Sequence, residues 1–280
     1  MITIKKIDID GIDDKRYNVS NLWPVDNYKE VLSYTETKNW INAFHKNIPQ
    51  IKVTNIKWIL EAAKIGTFTG QVSNMYKDEI EDFCKKYDNY NELMTNGVFI
   101  RTDHVSLKTG IHGIGPYFNI KQIIESICTC SSGHAAINKT DKELNIYLMP
   151  WLNLDTDKEF RIFVHNNKIT GISIQKIYKQ NKWLSSFTEN DLKLLTIEIK
   201  NYFTNEFIEK WKKTQTSKYT KNFTMDLIIT DLITEEKKYK FYFIEPNPFG
   251  PEYAAGSALF HWVDSKILYN EEDAIEFRYN

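Results

Sequence analysis

The clearest pattern in the chain is a period-two alternation over residues 159–175. Phe160, Ile162 and Val164 alternate with Glu159, Arg161 and Phe163, and Asn166-Asn167 separates them from a second apolar run ending at Gln175. This pattern predicts a β-hairpin with a tight Asn-Asn turn. Glu159 and Arg161 then share one face, opposite Phe160 and Ile162, and Ser173 shares a face with Gln175 on the returning strand. A second hairpin is expected from residues 223–232, an apolar run interrupted by Asp226, through a polar loop at 234–239 into the aromatic run that starts at Lys240. Pro246, Pro248, Gly250 and Pro251 are expected to stop that last strand. Shorter strands are expected at 2–9, 97–100 and 145–151.

Helical periodicity appears elsewhere. Trp40, Ile41 and Phe44 mark one or two short helices over 28–45, and Ile80, Phe83, Cys84 and Tyr87 mark another over 78–87. Residues 120–128 form a further candidate. The longest runs over 188–211, with Leu192, Leu195, Ile199, Phe203 and Phe207 as its apolar stripe. Thr188 and Asp191 open it with the spacing of a capping box. Residues 51–60 fit a strand or a helix equally well. The class is α+β. Residues 1–95 read as a small N-terminal mixed α/β domain and 96–280 as the main domain, with lobes at about 96–150 and 151–280 and a basic polar linker at 212–221.

Composition narrows the classes. The 280 residues, 42% hydrophobic and 14% aromatic, suffice for one large domain or two packed lobes. A formal net charge of −1 gives no overall positive field for nucleic acid or an anionic membrane. Cys84, Cys128 and Cys130 form no Cys-x-x-Cys pair, which fits reduced thiols better than a disulfide framework. The first residues lack the apolar core of a signal peptide, and no apolar run approaches the ~20 residues of a membrane span. A cytoplasmic protein is expected.

The candidate chemistry gathers at the strand ends. Glu245 and Asn247 are oxygen donors two residues apart, on one face of a strand. A carboxylate beside an amide oxygen suits a hard cation such as Mg2+. Asp226, inside an apolar strand, needs a metal, a cation or hydrogen bonds, and the hairpin brings it next to Glu245. Arg101 and Lys108 bracket a polar loop ending at Gly110, and two such cations are able to face a triphosphate. Gly110, Gly113 and Gly115 allow close approach of backbone to phosphate. His104 and His112 read as loop surface.

These features in order resemble the ATP-grasp fold, two α/β lobes with antiparallel sheets gripping a nucleotide. Within it, Phe243-Ile244-Glu245-Pro246-Asn247-Pro248-Phe249-Gly250, then Leu259-Phe260-His261-Trp262, resembles the cell division cycle 123 family. Glu159-Phe160-Arg161, the return to Gln175 and Trp151 before the hairpin fit the same family. The Arg101–Lys108 loop looks more like related viral ATP-grasp proteins. Glu245 stands where the family usually has Asp, and Pro246 where it has Phe. The resemblance implies ATP and Mg2+ as ligands, with Asp226, Glu245 and Asn247 on the metal. It implies Arg161, Arg101 and Lys108 as the catalytic cations on the phosphates. Glu159 and Gln175 join the nucleotide site, and Tyr147, Leu148, Met149 and Trp151 flank the adenine. The implied activity is an ATP-dependent ligase-type reaction, acyl-phosphate or nucleotidyl chemistry on a carboxylate, peptide or RNA end. The alternative is an ATP-bound assembly chaperone for translation initiation factor 2.

Overall fold

The computed structural model describes residues 1–214, 218–233 and 238–280. Parts of the basic linker (215–217) and of the second hairpin loop (234–237) therefore lie outside the described residues. The strands are β1 (Ile2–Lys6), β2 (Gln50–Val53), β3 (Val98–Thr102), β4 (Leu144–Pro150), β5 (Glu159–His165), β6 (Lys168–Ile174), β7 (Phe223–Ile233), β8 (Lys238–Pro248) and β9 (Ile275–Tyr279). The helices are α1 (Tyr28–Tyr34), α2 (Thr37–Phe44), α3 (Lys57–Thr69), α4 (Lys77–Lys86), α5 (Ile120–Thr129), α6 (Glu189–Tyr202) and α7 (Ile208–Thr214). They fall into two compact units, one of Met1–Thr35 with Leu154–Asn280 and the other of Glu36–Asn153.

The first unit is built on a six-stranded sheet in the order β1-β9-β6-β5-β7-β8. The strands of both expected hairpins pair antiparallel. Asn166 and Asn167 turn the first with φ of 49° and 61°, the left-handed pair that a two-residue turn demands and that Asn tolerates. β7 and β8 pair antiparallel, but the register slips between Asp226 and Leu227: Asp226 faces Glu245 while Leu227 faces Phe243. Ile244 is the extra residue of this bulge. Without it, Phe243 and Glu245, two apart, would share a face. With it, Phe243 enters the core against Phe207, at 5.0 Å between ring centroids, while Glu245 stays opposite Asp226. Pro246 lies within the strand, which ends at Pro248, inside the stretch expected to stop it. β8 is the sheet edge, where a residue without an N–H leaves no partner unpaired.

The helix expected over 188–211 begins at Thr188, whose hydroxyl accepts from Asp191 N while the Asp191 carboxylate accepts from Thr188 N, a complete capping box. One π turn, Phe203–Phe207, joins α6 to α7. It carries Phe203, Phe207 and Trp211 into a stacked row beside Phe223. On the other side of the sheet, Phe163 packs on Phe260 and Trp262, and Trp262 donates its indole N–H to the Ala255 carbonyl.

The second unit holds a three-stranded antiparallel sheet, β2-β4-β3. Ile51, Val53, Val98, Ile100, Leu144, Ile146 and Leu148 join residues of α3, α4 and α5 in its core. Residues 51–60, which fitted either class, divide between β2 and α3. The outer carbonyls of β2 at Gln50 and Lys52 accept from the Tyr90 and Tyr87 hydroxyls, each at 3.3 Å, which blunts that edge. The boundary expected near residue 95 does not coincide with either junction, because β1 pairs in parallel with β9 and belongs to the first unit. Among the described residues no helix is long and apolar enough to cross a membrane.

α3 and α5 touch at Gly66, where an added Cβ would lie 2.2 Å from the Cys128 carbonyl oxygen. Gly66→Ala should therefore force the helices apart and lower stability by about 1–3 kcal/mol, measured by denaturant unfolding.

Candidate functional site

The polar face of the first unit forms from register. Arg161 on β5 stands opposite Asp226 on β7, and Asp226 stands opposite Glu245 on β8. Two residue pairs further along, on the same face, Thr224 stands opposite Asn247. Arg161 donates Nε–H to Asp226 Oδ1 at 2.9 Å and Nη2–H to Oδ2 at 2.8 Å, a two-pronged fork. Its Nη1 donates to the Gly256 carbonyl at 2.7 Å. Asn247 Nδ2 donates to Asp226 Oδ2 at 3.2 Å. Burial pulls the Arg161 pKa down, but the Asp226 charge and hydrogen bonds, backed by Glu245 and Glu159, more than offset it and raise the value. Ser173 is used structurally: its hydroxyl accepts from Leu259 N at 3.0 Å and so ties down the segment that covers Phe163. Gln175 and Glu159 flank the rim of the hairpin, and Gln175 N donates to the Glu159 carbonyl at 3.0 Å.

The donor set suits a hard cation. Two carboxylates and an amide gather on one face, and the Asn247 nitrogen is engaged by Asp226, which leaves the amide oxygen as the donor for a cation. Thr224, which sequence reasoning passed over, is fully buried, and its Oγ1 has no hydrogen-bond partner among the described residues. A threonine two residues before a buried aspartate on the same strand face was its only signal. Among the described residues no group of three or more His, Cys, Asp or Glu is arranged to hold a metal. The set here has two acids and an amide.

In the second unit several expectations change. Arg101 is 4% exposed, with Nε 3.4 Å from the Thr37 hydroxyl and its guanidinium 5.3 Å from the centre of the Trp40 ring. It is an interior cation. Lys108, in the loop that follows, is exposed. Gly110 is tightly packed, since a Cβ there would lie 2.6 Å from the Ser126 side chain and 2.7 Å from its carbonyl. Tyr147, Leu148 and Met149 do not present one surface. Strand alternation sends Leu148 into the helix-packed core and Tyr147 to the other face, where its hydroxyl donates to Asp103 at 2.8 Å. Trp151 packs near Gly115, where a Cβ would come within 3.2 Å of its ring.

His104 is not loop surface. Its Nε2 lies 2.8 Å from Asp141 Oδ2 and its Nδ1 3.6 Å from Glu36 Oε1. These groups line a pocket of about 140 Å3 with Lys38, Asp103, Lys142, Glu143 and Asn145. Burial lowers the His104 pKa, but the Asp141 hydrogen bond and charge, then Glu36 and Asp103, raise it overall. The partners lie up to 68 residues away in sequence, from Glu36 to His104, so nothing local revealed them. His112 does sit nearer the surface, with Nε2 2.7 Å from Glu125.

The fold is that of a two-unit α+β protein of the Cdc123 type. A solved structure of Cdc123 from Schizosaccharomyces pombe matches with a TM-score of 0.58 at 13% identity, covering 92% of this chain and 100% of that one. The C-terminally truncated form of the same protein matches with a TM-score of 0.59, at the same identity and coverage. The chain belongs to the D123 family, whose model matches residues 120–280. No curated protein matches it.

Arg161→Met should leave the Asp226 charge buried without its fork and lower stability by about 3–5 kcal/mol, read by denaturant unfolding. For His104, the raised folded value stabilises the protein fully below the unfolded value of about 6.5, and that stability is lost as pH rises through the folded value. The difference in melting temperature between the wild type and His104→Gln should accordingly be largest near pH 5–6 and shrink at alkaline pH.

Proposed function

We propose that the polar face of the first unit binds the phosphates of ATP through Mg2+, and that the chain uses this ATP in a ligase-type reaction on a carboxylate, peptide or RNA end. The observation that carries the reading is the meeting of Asp226, Glu245 and Asn247 on one sheet face across two paired strands. Their oxygens would hold Mg2+, a cation that takes carboxylate and carbonyl donors and shares them with phosphate. Bound Mg2+ would supply charge neutralisation of the phosphate oxygens. The chain's own part is to fix the donors: the β8 bulge aims Glu245, and Asp226 orients the Asn247 amide. Glu159 and Gln175 on the hairpin rim would contact the nucleotide with polar groups. The reading rests on residues of the first unit.

Membership of the D123 family favours a second reading, in which the ATP-bound protein assists assembly of translation initiation factor 2. The two readings separate on turnover. Incubation with ATP, Mg2+ and candidate acceptors should release phosphate or AMP for a ligase. Tight ATP binding without turnover, together with capture of an initiation factor 2 subunit, would instead establish the assembly role. Asn247→Ala should abolish Mg2+-dependent ATP binding in calorimetry while far-UV circular dichroism stays native. Unchanged affinity would sink the metal assignment.

A further inference from the structure

We infer that Arg161 is a positioning residue that acts through Asp226, rather than a cation that touches phosphate. The inference rests on the ATP–Mg2+ reading of the same face and changes the part Arg161 plays in it. A guanidinium has five N–H donors in a rigid plane, and here three of its nitrogens are committed. Nε and Nη2 are on Asp226, at 2.9 and 2.8 Å, and Nη1 is on the Gly256 carbonyl, at 2.7 Å. The anchors come from a neighbouring strand and from the covering segment, so the side chain is fixed from two sides. Its side chain is 11% exposed and that of Asp226 is 3% exposed. Reaching outward to a phosphate would strip the buried Asp226 carboxylate of its two-pronged fork.

The fork has a directional consequence. Two parallel N–H···O bonds fix the plane of the Asp226 carboxylate, which a point charge cannot do. That carboxylate in turn accepts from Asn247 Nδ2 and thereby sets which way the Asn247 oxygen points. Orientation passes from Arg161 to Asp226 to Asn247, and both of the last two are proposed cation donors. Arg161 therefore controls how well the cation is held more than how well the nucleotide is held.

Arg161→Lys keeps the charge and removes the fork. Mn2+ affinity of the ATP-loaded protein, measured by electron paramagnetic resonance, should fall at least tenfold more than ATP affinity in metal-free buffer, measured by calorimetry. An equal or larger loss of metal-free ATP affinity would overturn the inference. In nucleotide-free protein, the Asn247 side-chain amide signals should move in the NMR spectrum of Arg161→Lys; unmoved signals would also overturn it. This readout stands even if wild-type protein binds no ATP, in which case only the functional reading fails. Should Arg161→Lys not fold, the wild-type Arg161 Nε–H signal decides. It should stay in place when ATP is added without metal, and a shift at that step would overturn the inference.

Discussion

A charged pair in the middle of a β-sheet is the constraint on which the first unit depends. Removing Arg161 and Asp226 from water costs several kcal/mol per ion, and their attraction offsets that only with good geometry and satisfied lone pairs. The structure meets both conditions. The β5–β7 register places the two residues opposite one another, the Gly256 carbonyl takes a third guanidinium N–H, and the Asn247 amide takes a remaining position on the carboxylate. Each of these partners comes from a different part of the chain. The covering segment is held in turn by Ser173 and by the Phe163–Phe260–Trp262 aromatic cluster. The Leu259, Phe260 and Trp262 motif is thus a packing motif, fully buried, that roofs the sheet beside the polar face.

The β8 bulge reconciles two demands that one regular strand cannot meet. An aromatic run must pack Phe241 against α6 and bury Phe243 against the π turn, while Glu245 and Asn247 must face the opposite side. A one-residue slip at Ile244 switches the face midway along the strand. The prolines that follow are tolerated because β8 is an edge strand. They also discourage another chain from pairing there.

Much of this was legible in the residues. Alternation and the Asn-Asn turn located the β5–β6 hairpin, Thr188 and Asp191 located the start of α6, and the lone Asp226 in an apolar strand announced a buried partner. What escaped was non-local. The parallel pairing of β1 with β9 joins segments separated by nearly the whole chain, and neither segment carries a local sign of the other. Arg101 looked like a loop cation because it follows a short strand, yet packing against Trp40 draws it inside. For Gly110, only the closeness of α5 shows how tightly it is packed. The His104 network needs three separate segments to meet. Local propensity carries no record of such meetings.

The β1–β9 ladder also orders events during synthesis. All strands of the Glu36–Asn153 unit are available once residue 153 has emerged, whereas the six-stranded sheet lacks β9 until residues 275–279 are made. Pairings across such a separation carry a high loop-closure entropy and form slowly. The contiguous unit therefore matures early, while the sheet bearing Arg161 and Asp226 closes last. Until then β6 presents an unpaired edge on the side that β9 will occupy, and a nascent chain is most exposed to mispairing there.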